Sequence, residues 1–353
     1  MIMMKRLLWT LILLLLLPLA LPAEDGKPLD MNEYLYGHVG DSYEWHITTV
    51  NGHEVSIPLP VIVISKQGRG VHCFSSRHLH HGNEYAGFRI ADEGTYSGKI
   101  VERASDGSLV RPWDFSVTKN VAGLLINSLV LLVIVLGCSS WYRKHDACEE
   151  APQGAVGLFE MLVTMVENDI IKDCVGDDYK RYSPYLLTAF FFIFINNLMG
   201  IVPFFPGGAN ITGNIAVTLV LALFTFFIVN IFGNKHYWKD ILWPEVPTWL
   251  KVPLPLMPAI EIIGMFTKPF SLMVRLFANI LAGHFMILGV VAVIFLTAEL
   301  GAALNGSLTV VAVLLGVFMD CLELLVAFIQ AYVFTMLSAV FIGLSRQKPE
   351  ATE

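Results

Sequence analysis

The chain has 353 residues, of which 55% are hydrophobic and only 15% charged, and its formal net charge is -7. Mean hydropathy is +0.62, whereas soluble domains carry about 25% charged residues, so the composition excludes an ordinary soluble globular protein and points to a chain built for lipid. The acidic excess is spread over loops and the N-terminal third, and no basic arm of the kind that binds nucleic acid is present.

In chain order, residues 1–23 place Lys5 and Arg6 ahead of an apolar core, Leu7 to Ala20, and end on the small residue Ala23. This pattern predicts a signal peptide and puts residue 24 onward outside the cytoplasm. Residues 24–118 are polar and alternate as strands do, with turns expected at Asn51-Gly52 and Asp106-Gly107, so a small β-rich extracytoplasmic domain with two hairpins is predicted. Of the five cysteines only Cys73 falls in it, so no disulfide can form within the domain. Its histidines cluster in HCFSSRHLHHGNE, at His72, His78, His80 and His81, without a firm metal-ligand spacing. A solvated loop is the expectation there, and no metal.

From residue 119 to 346 the composition is that of a membrane domain, in which apolar stretches at about 121–142, 185–205, 213–233, 257–297 and 306–345 predict about five transmembrane helices. The last two approach twice the ~20 residues that span ~30 Å of hydrocarbon. They are therefore either hairpins or long tilted helices. Residues 154–174 have apolar positions at three- and four-residue spacing with Glu160, Glu167, Asp169 and Asp173 between them, which predicts an amphipathic helix on the membrane surface or against other helices. The connections containing Arg143, Lys144, Lys172, Lys180 and Arg181, and then Lys235, Lys239 and Lys251, gather the basic residues, whereas FFPGGANITG and TAELGAALNGSL have none. Five crossings from an outer N-terminus put every basic loop, and the tail 347–353, in the cytoplasm.

Within the last two stretches a few ionisable residues stand out. A charge at mid-membrane costs ~2.5 to 3.5 kcal/mol on insertion scales, so such residues are functional candidates. On a helix turning ~100° per residue, Ser271, Ala278, Asn279 and Ala282 all lie within about 60° of Arg275, which leaves one arginine on a face of small and short polar side chains. Such a face suits a partner that slides past. His284 falls on the opposite side and ~13 Å along the axis. On the final stretch Glu323 and Gln330, seven residues apart, share a face. Glu261 joins the Arg275 side only if the helix continues through Pro269, where a break is expected. Arginine keeps its proton at any accessible pH and acts as a fixed charge. Histidine titrates near neutrality, and with a carboxylate it forms a proton relay. Glu299, Lys268 and Asp320 read as interfacial.

The segments SLMVRLFANILAGHFMI (271–287) and AFIQAYVFTMLSAVF (327–341), with NNLMGIVPFFP (196–206), resemble subunit a of the F-type ATP synthases over residues 120 to 345. The resemblance implies an all-α polytopic stator that carries protons to a rotor ring of subunit c, alongside the subunit b stalk and the remaining synthase subunits. Such a subunit sits in a bacterial inner membrane, is non-catalytic by itself and has no cofactor. It also implies that Arg275 faces the ring carboxylate with Gln330 as its partner, that Asn279 falls in register with the family, that His284 and Glu323 form one relay, and that Glu261 serves the cytoplasmic half-channel; Ser271 joins the proton pathway through its place on the Arg275 face. Gly200 departs from members with an aspartate at that position, and the external domain lies outside the common family core. Two rivals are a free-standing ion-coupled transporter or channel and a membrane sensor with an external ligand-binding domain. The first calls for internal repeats and the second for a cytoplasmic signalling domain, and the sequence offers neither.

Overall fold

The computed structural model describes residues 40–50, 53–68, 70–91, 95–104, 107–145, 150–202, 205–243, 256–297 and 302–347. The expected signal peptide, Glu299, and the tail beyond Gln347 lie outside the described residues.

Both expected hairpins are seen as paired strands. β1 (Glu44–Val50) and β2 (His53–Pro58) are antiparallel and close at Val50 opposite His53, as a two-residue turn at Asn51-Gly52 requires, although those two residues are not described. β3 (Pro60–Ile64) pairs with β4 (Val71–Ser75) on one side and, near the chain's entry to the helical region, with β8 (Trp113–Asp114) on the other. β5 (Phe88–Ile90), β6 (Ile100–Arg103) and β7 (Leu109–Val110) form a second antiparallel trio, and β6 and β7 flank the Asp106-Gly107 turn. Alternation along β3 buries Val61 and Val63 against Tyr43, Leu79, Phe88 and Ile100, which is the domain's core. Glu102 is fully buried there, with its carboxylate accepting from Ser65 Oγ at 2.6 Å and from the Lys66 backbone N–H at 2.8 Å. The Tyr43 phenol donates to Asp114, and burial together with that carboxylate pushes its pKa well above the ordinary value, so it stays a neutral donor. Three of the clustered histidines are absorbed locally: His72 lies edge-on to Phe88, His78 stacks on Tyr85, and His80 contacts Glu44. Among the described residues no group of three His, Cys, Asp or Glu is placed to hold a metal ion.

The rest of the molecule is helical. α1 (Lys119–Tyr142) turns Asn120, Gly123 and Asn127 inward and leaves Leu125, Leu129, Leu132 and Leu136 exposed. α2 (Ala155–Val166) runs on through a π-helical stretch, Glu167–Lys172, to a last turn at Asp173–Val175. This is the expected amphipathic helix, and its apolar side is packed: Val166, Ile170 and Ile171 are fully buried in the main core. α3 (Tyr179–Ile201) starts earlier and stops earlier than the expected 185–205. It stops because Val202 precedes Pro203, and a residue before proline is pushed to extended geometry, here φ -70° and ψ 116°. α4 (Ile215–Ile231) is capped by Asn214, which accepts from the Ala216 N–H at 3.0 Å, and meets α5 (Lys235–Leu242) at a bend of 101°.

α6 (Leu256–Leu296) and α7 (Ala302–Arg346) are each one continuous helix, 41 and 45 residues long, so the hairpin alternative falls away. The break expected at Pro269 is also absent, because proline removes only one backbone donor and packed neighbours tolerate its ring in an apolar helix. Among the described residues four helices are long and apolar enough to cross a membrane, or five if α4 and α5 count as one bent span. The core between them joins Leu186, Phe190 and Ile193 of α3 with Leu272, Leu276 and Ile280 of α6 and Ala331, Ala339 and Ile342 of α7. Gly343 lets α7 approach backbone to backbone, since a Cβ there would lie 2.0 Å from the Cys174 carbonyl. The end of α7 is tied down by Arg346. Its guanidinium donates to Asp178 at 2.6 and 2.9 Å, to Asn234 Oδ1 at 2.8 Å and to the Phe232 carbonyl at 3.2 Å.

Candidate functional site

α6 has two unlike sides. Leu272, Met273, Leu276 and Ile280 are buried, whereas Ser271, Arg275, Ala278, Asn279, Ala282, Met286 and Val293 are exposed. The exposed set recurs at three- and four-residue steps and forms one stripe along the helix. Arg275 is thus carried on a surface that its own chain leaves uncovered. Among the described residues no hydrogen bond or ion pair engages it, and none joins it to Gln330.

His284 lies on the packed side. Its Nδ1 is 3.5 Å from Glu323 Oε1, with the two side chains 17% and 5% exposed. Two glycines make room for the pair. A Cβ at Gly283 would come within 3.2 Å of Glu323 Oε1, and one at Gly200 of α3 would be 3.5 Å from His284 Nε2. Three helices therefore meet at one imidazole and one carboxylate. The second carboxylate oxygen of Glu323 has no hydrogen-bond partner among the described residues, so the pair retains an acceptor for a further proton or water. Gln330 is buried two turns on along α7.

Glu261 is half-buried on α6 and within electrostatic range of Tyr237, whose hydroxyl donates to Asn230 Oδ1 at 3.3 Å. Tyr237 also lines a small cleft of about 20 Å³, together with Asn230, Lys268 and Pro269 among others. The Lys268 ammonium sits 5.6 Å from the Phe341 ring centre. Because α6 is unbroken, Glu261 and Arg275 share one helix, fourteen residues or ~21 Å apart.

A family model described as the ATP synthase A chain matches residues 124–343. Proteins named ATP synthase subunit a 2 from Chlorobaculum tepidum and from Prosthecochloris aestuarii are 41% and 38% identical to the chain, over 67% and 78% of its length. ATP synthase subunit a of Pelodictyon phaeoclathratiforme is 42% identical over 66%. The alignments span 65%, 84% and 66% of those three proteins respectively.

The chain belongs to the ATP synthase A chain family.

A separate model, described as a domain of unknown function (DUF8433), matches residues 34–115. The A chain match thus begins inside α1 and takes in all of the residues singled out above, while the β-rich domain stands outside it.

The structure adds polar residues that the sequence did not single out. Asn127 of α1 donates to Asn196 Oδ1 at 3.0 Å, Thr212 donates to Asn197 Oδ1 at 2.6 Å, and Asn197 donates to the Ala327 carbonyl of α7 at 3.2 Å. On another level Tyr185 and Ser338 both bond Thr225, at 2.8 and 3.2 Å. The signal was present in the paired asparagines of NNLMG, two amides inside an apolar helix that need partners. Apart from the Phe192 carbonyl, one turn back, which accepts from Asn196, their partners lie 15 to 130 residues away and could not be named from spacing.

Proposed function

We propose that the chain is the proton-translocating subunit a of a rotary F-type ATP synthase, a non-catalytic stator working against a ring of subunit c and held by the subunit b stalk. One observation carries the reading. α6 bears Arg275 on a stripe that its own chain leaves open, while His284, nine residues on, is packed against Glu323 on the far side. A guanidinium is expensive in lipid unless something pairs with it, and its place on an uncovered stripe of small residues fits a partner carboxylate that passes by.

Protons from outside reach the ring carboxylate by way of His284 and Glu323, travel with the ring, and leave towards the cytoplasm near Glu261 and the Asn230–Tyr237 cleft. Arg275, flanked by Ser271 and Asn279 with Gln330 on the neighbouring helix, separates the two half-channels. The separation matters because ~2.3 kcal/mol per charge is available for each 100 mV, and a direct leak dissipates it. No cofactor or metal enters this scheme.

The chain sits in a bacterial inner membrane with residues 24–118 outside, the C-terminus in the cytoplasm and residues 1–23 as a signal peptide. Lying wholly within ~30 Å of hydrocarbon, helices as long as α6 and α7 must incline about 60° from the normal, and an oblique pair presents a long flank to a ring.

Purification in mild detergent tests the assembly: a ring of small two-helix proteins should accompany the chain, and its isolation as a free-standing protein from fully coupled membranes would overturn the reading. Arg275→Ala and Arg275→Lys test the mechanism. Both should abolish proton-driven ATP synthesis in vesicles, and normal coupled synthesis in the lysine variant would remove the separating role.

A further inference from the structure

The scheme above gives the N-terminal domain no task, yet the domain packs on the α3–α4 loop, two residues removed from the relay. Trp45 of β1 is 3% exposed and forms one apolar cluster with Ala209 and Ile211 of the α3–α4 loop. The Phe205 ring meets it edge-on at 5.2 Å. A Cβ at Gly200 would lie 3.7 Å from the Ala209 carbonyl and 3.5 Å from His284 Nε2. Two residues, Ala209 and Gly200, thus bridge Trp45 to the imidazole.

The same domain holds the first turn of α1. Asp41 accepts from the Asn120 N–H at 3.0 Å, and the Ser42 carbonyl accepts from the Lys119 N–H at 2.8 Å. Lys119 and Asn120 are buried, at 9% and 6% exposed. Lys119 is within electrostatic range of Asp41 and also of His284. Taking an ammonium out of water costs several kcal/mol, and a helix start needs no cation for packing.

A third observation is independent of the first two. Among the described residues, Thr118 Oγ1, Asn120 Oδ1 and Asn127 Oδ1 of α1 and its cap, Asn210 Nδ2 of the α3–α4 loop, and Glu323 Oε2 are buried without a hydrogen-bond partner. Buried polar atoms are nearly always satisfied by protein or by ordered water. Tyr182 and Thr335 carry the other two such atoms among the described residues; those on α1, on the α3–α4 loop and on Glu323 are polar atoms that water could satisfy between the domain junction and the relay.

We propose that the N-terminal domain forms the outer wall of the proton-entry route, and that Lys119, seated there by Asp41, is a positioning residue that orients the water and polar groups leading to His284 and Glu323. The inference rests on the chain being the proton-translocating subunit. An ammonium donates three hydrogen bonds and accepts none, so a fixed one imposes a direction on the waters it holds.

The test uses the whole synthase in membrane vesicles, with the catalytic head stripped so that passive proton flux is read directly. Lys119→Gln and Asp41→Asn should each lower flux severalfold at wild-type subunit abundance. Lys119→Arg should restore most of it, and the double variant should be no worse than Lys119→Gln. In a chain whose native cysteines are serine, silver ion added to the outer face should block flux through Asn127→Cys. Wild-type flux in Lys119→Gln overturns the role of the ammonium, and indifference of Asn127→Cys to silver overturns the path. Arg275→Ala is the control, read in vesicles that keep the catalytic head: should it synthesise ATP normally, the underlying reading fails, whereas its loss alongside a fully active Lys119→Gln removes this inference alone. Where Lys119→Gln assembles poorly, the silver experiment decides.

Discussion

Arg275 and His284 are nine residues apart on α6, yet one lies on an uncovered stripe and the other is enclosed by α3 and α7. Around Arg275 the neighbours on its face are small, and among the described residues no hydrogen bond or ion pair answers its charge. Around His284 the neighbours are close and specific, with two glycines making the room. The difference teaches that a polar group in lipid needs a partner, and that the partner's location tells what the group does. An internal partner makes a fixed station. An external one leaves an interface.

That contrast can be broken most severely at Arg275. Arg275→Ala should bring proton-driven synthesis in vesicles to background, and Arg275→Lys should fare little better, because a compact ammonium does not reproduce a planar fork. Either variant retaining coupled synthesis would make the stripe ornamental. On the enclosed side, Glu323→His or His284→Glu alone should lower the rate by about 10²-fold, the usual weight of a positioned proton donor or acceptor. The double exchange should recover much of that loss, and equal rates in all three would deny that the two side chains act as one.

Smaller changes probe how tightly the station is built. Gly283→Ala brings a Cβ within 3.2 Å of Glu323 Oε1, so the carboxylate must shift by a few tenths of an ångström. Misplacements of that order should slow passive flux by roughly two- to tenfold. Gly200→Ala adds a methyl at ordinary contact distance, 3.5 Å, from His284 Nε2. Flux should stay near wild type, and a loss as large as that of Gly283→Ala would move the critical contact from α7 to α3.

Much of this was legible because lipid makes certain residues conspicuous. Arg275, His284 and Glu323 stand out in apolar runs, and the two β-turn dipeptides marked hairpins that the strand pairs reproduce. The remainder depended on neighbours. The end of α3 moved from 205 to 201 because proline acts on the residue before it. Pro269 left α6 intact because surrounding helices tolerate its lost hydrogen bond. Lys119 drew no attention at a domain boundary, since nothing in its local sequence says that the Ser42 carbonyl would hold its N–H and that Asp41 would lie within electrostatic range. Asn127 likewise needed Asn196, on a helix 69 residues distant, before its place inward made sense.

The Arg346 tether has a mechanical meaning. If a rotor drags along the exposed flank of α6 and α7, the sideways force must be resisted somewhere. A single guanidinium gripping Asp178, Asn234 and the Phe232 carbonyl welds the end of α7 to the start of α3 and to the α4–α5 bend. The long helix is then a beam clamped at its C-terminal end, and strain along it runs into the bundle instead of bending the beam.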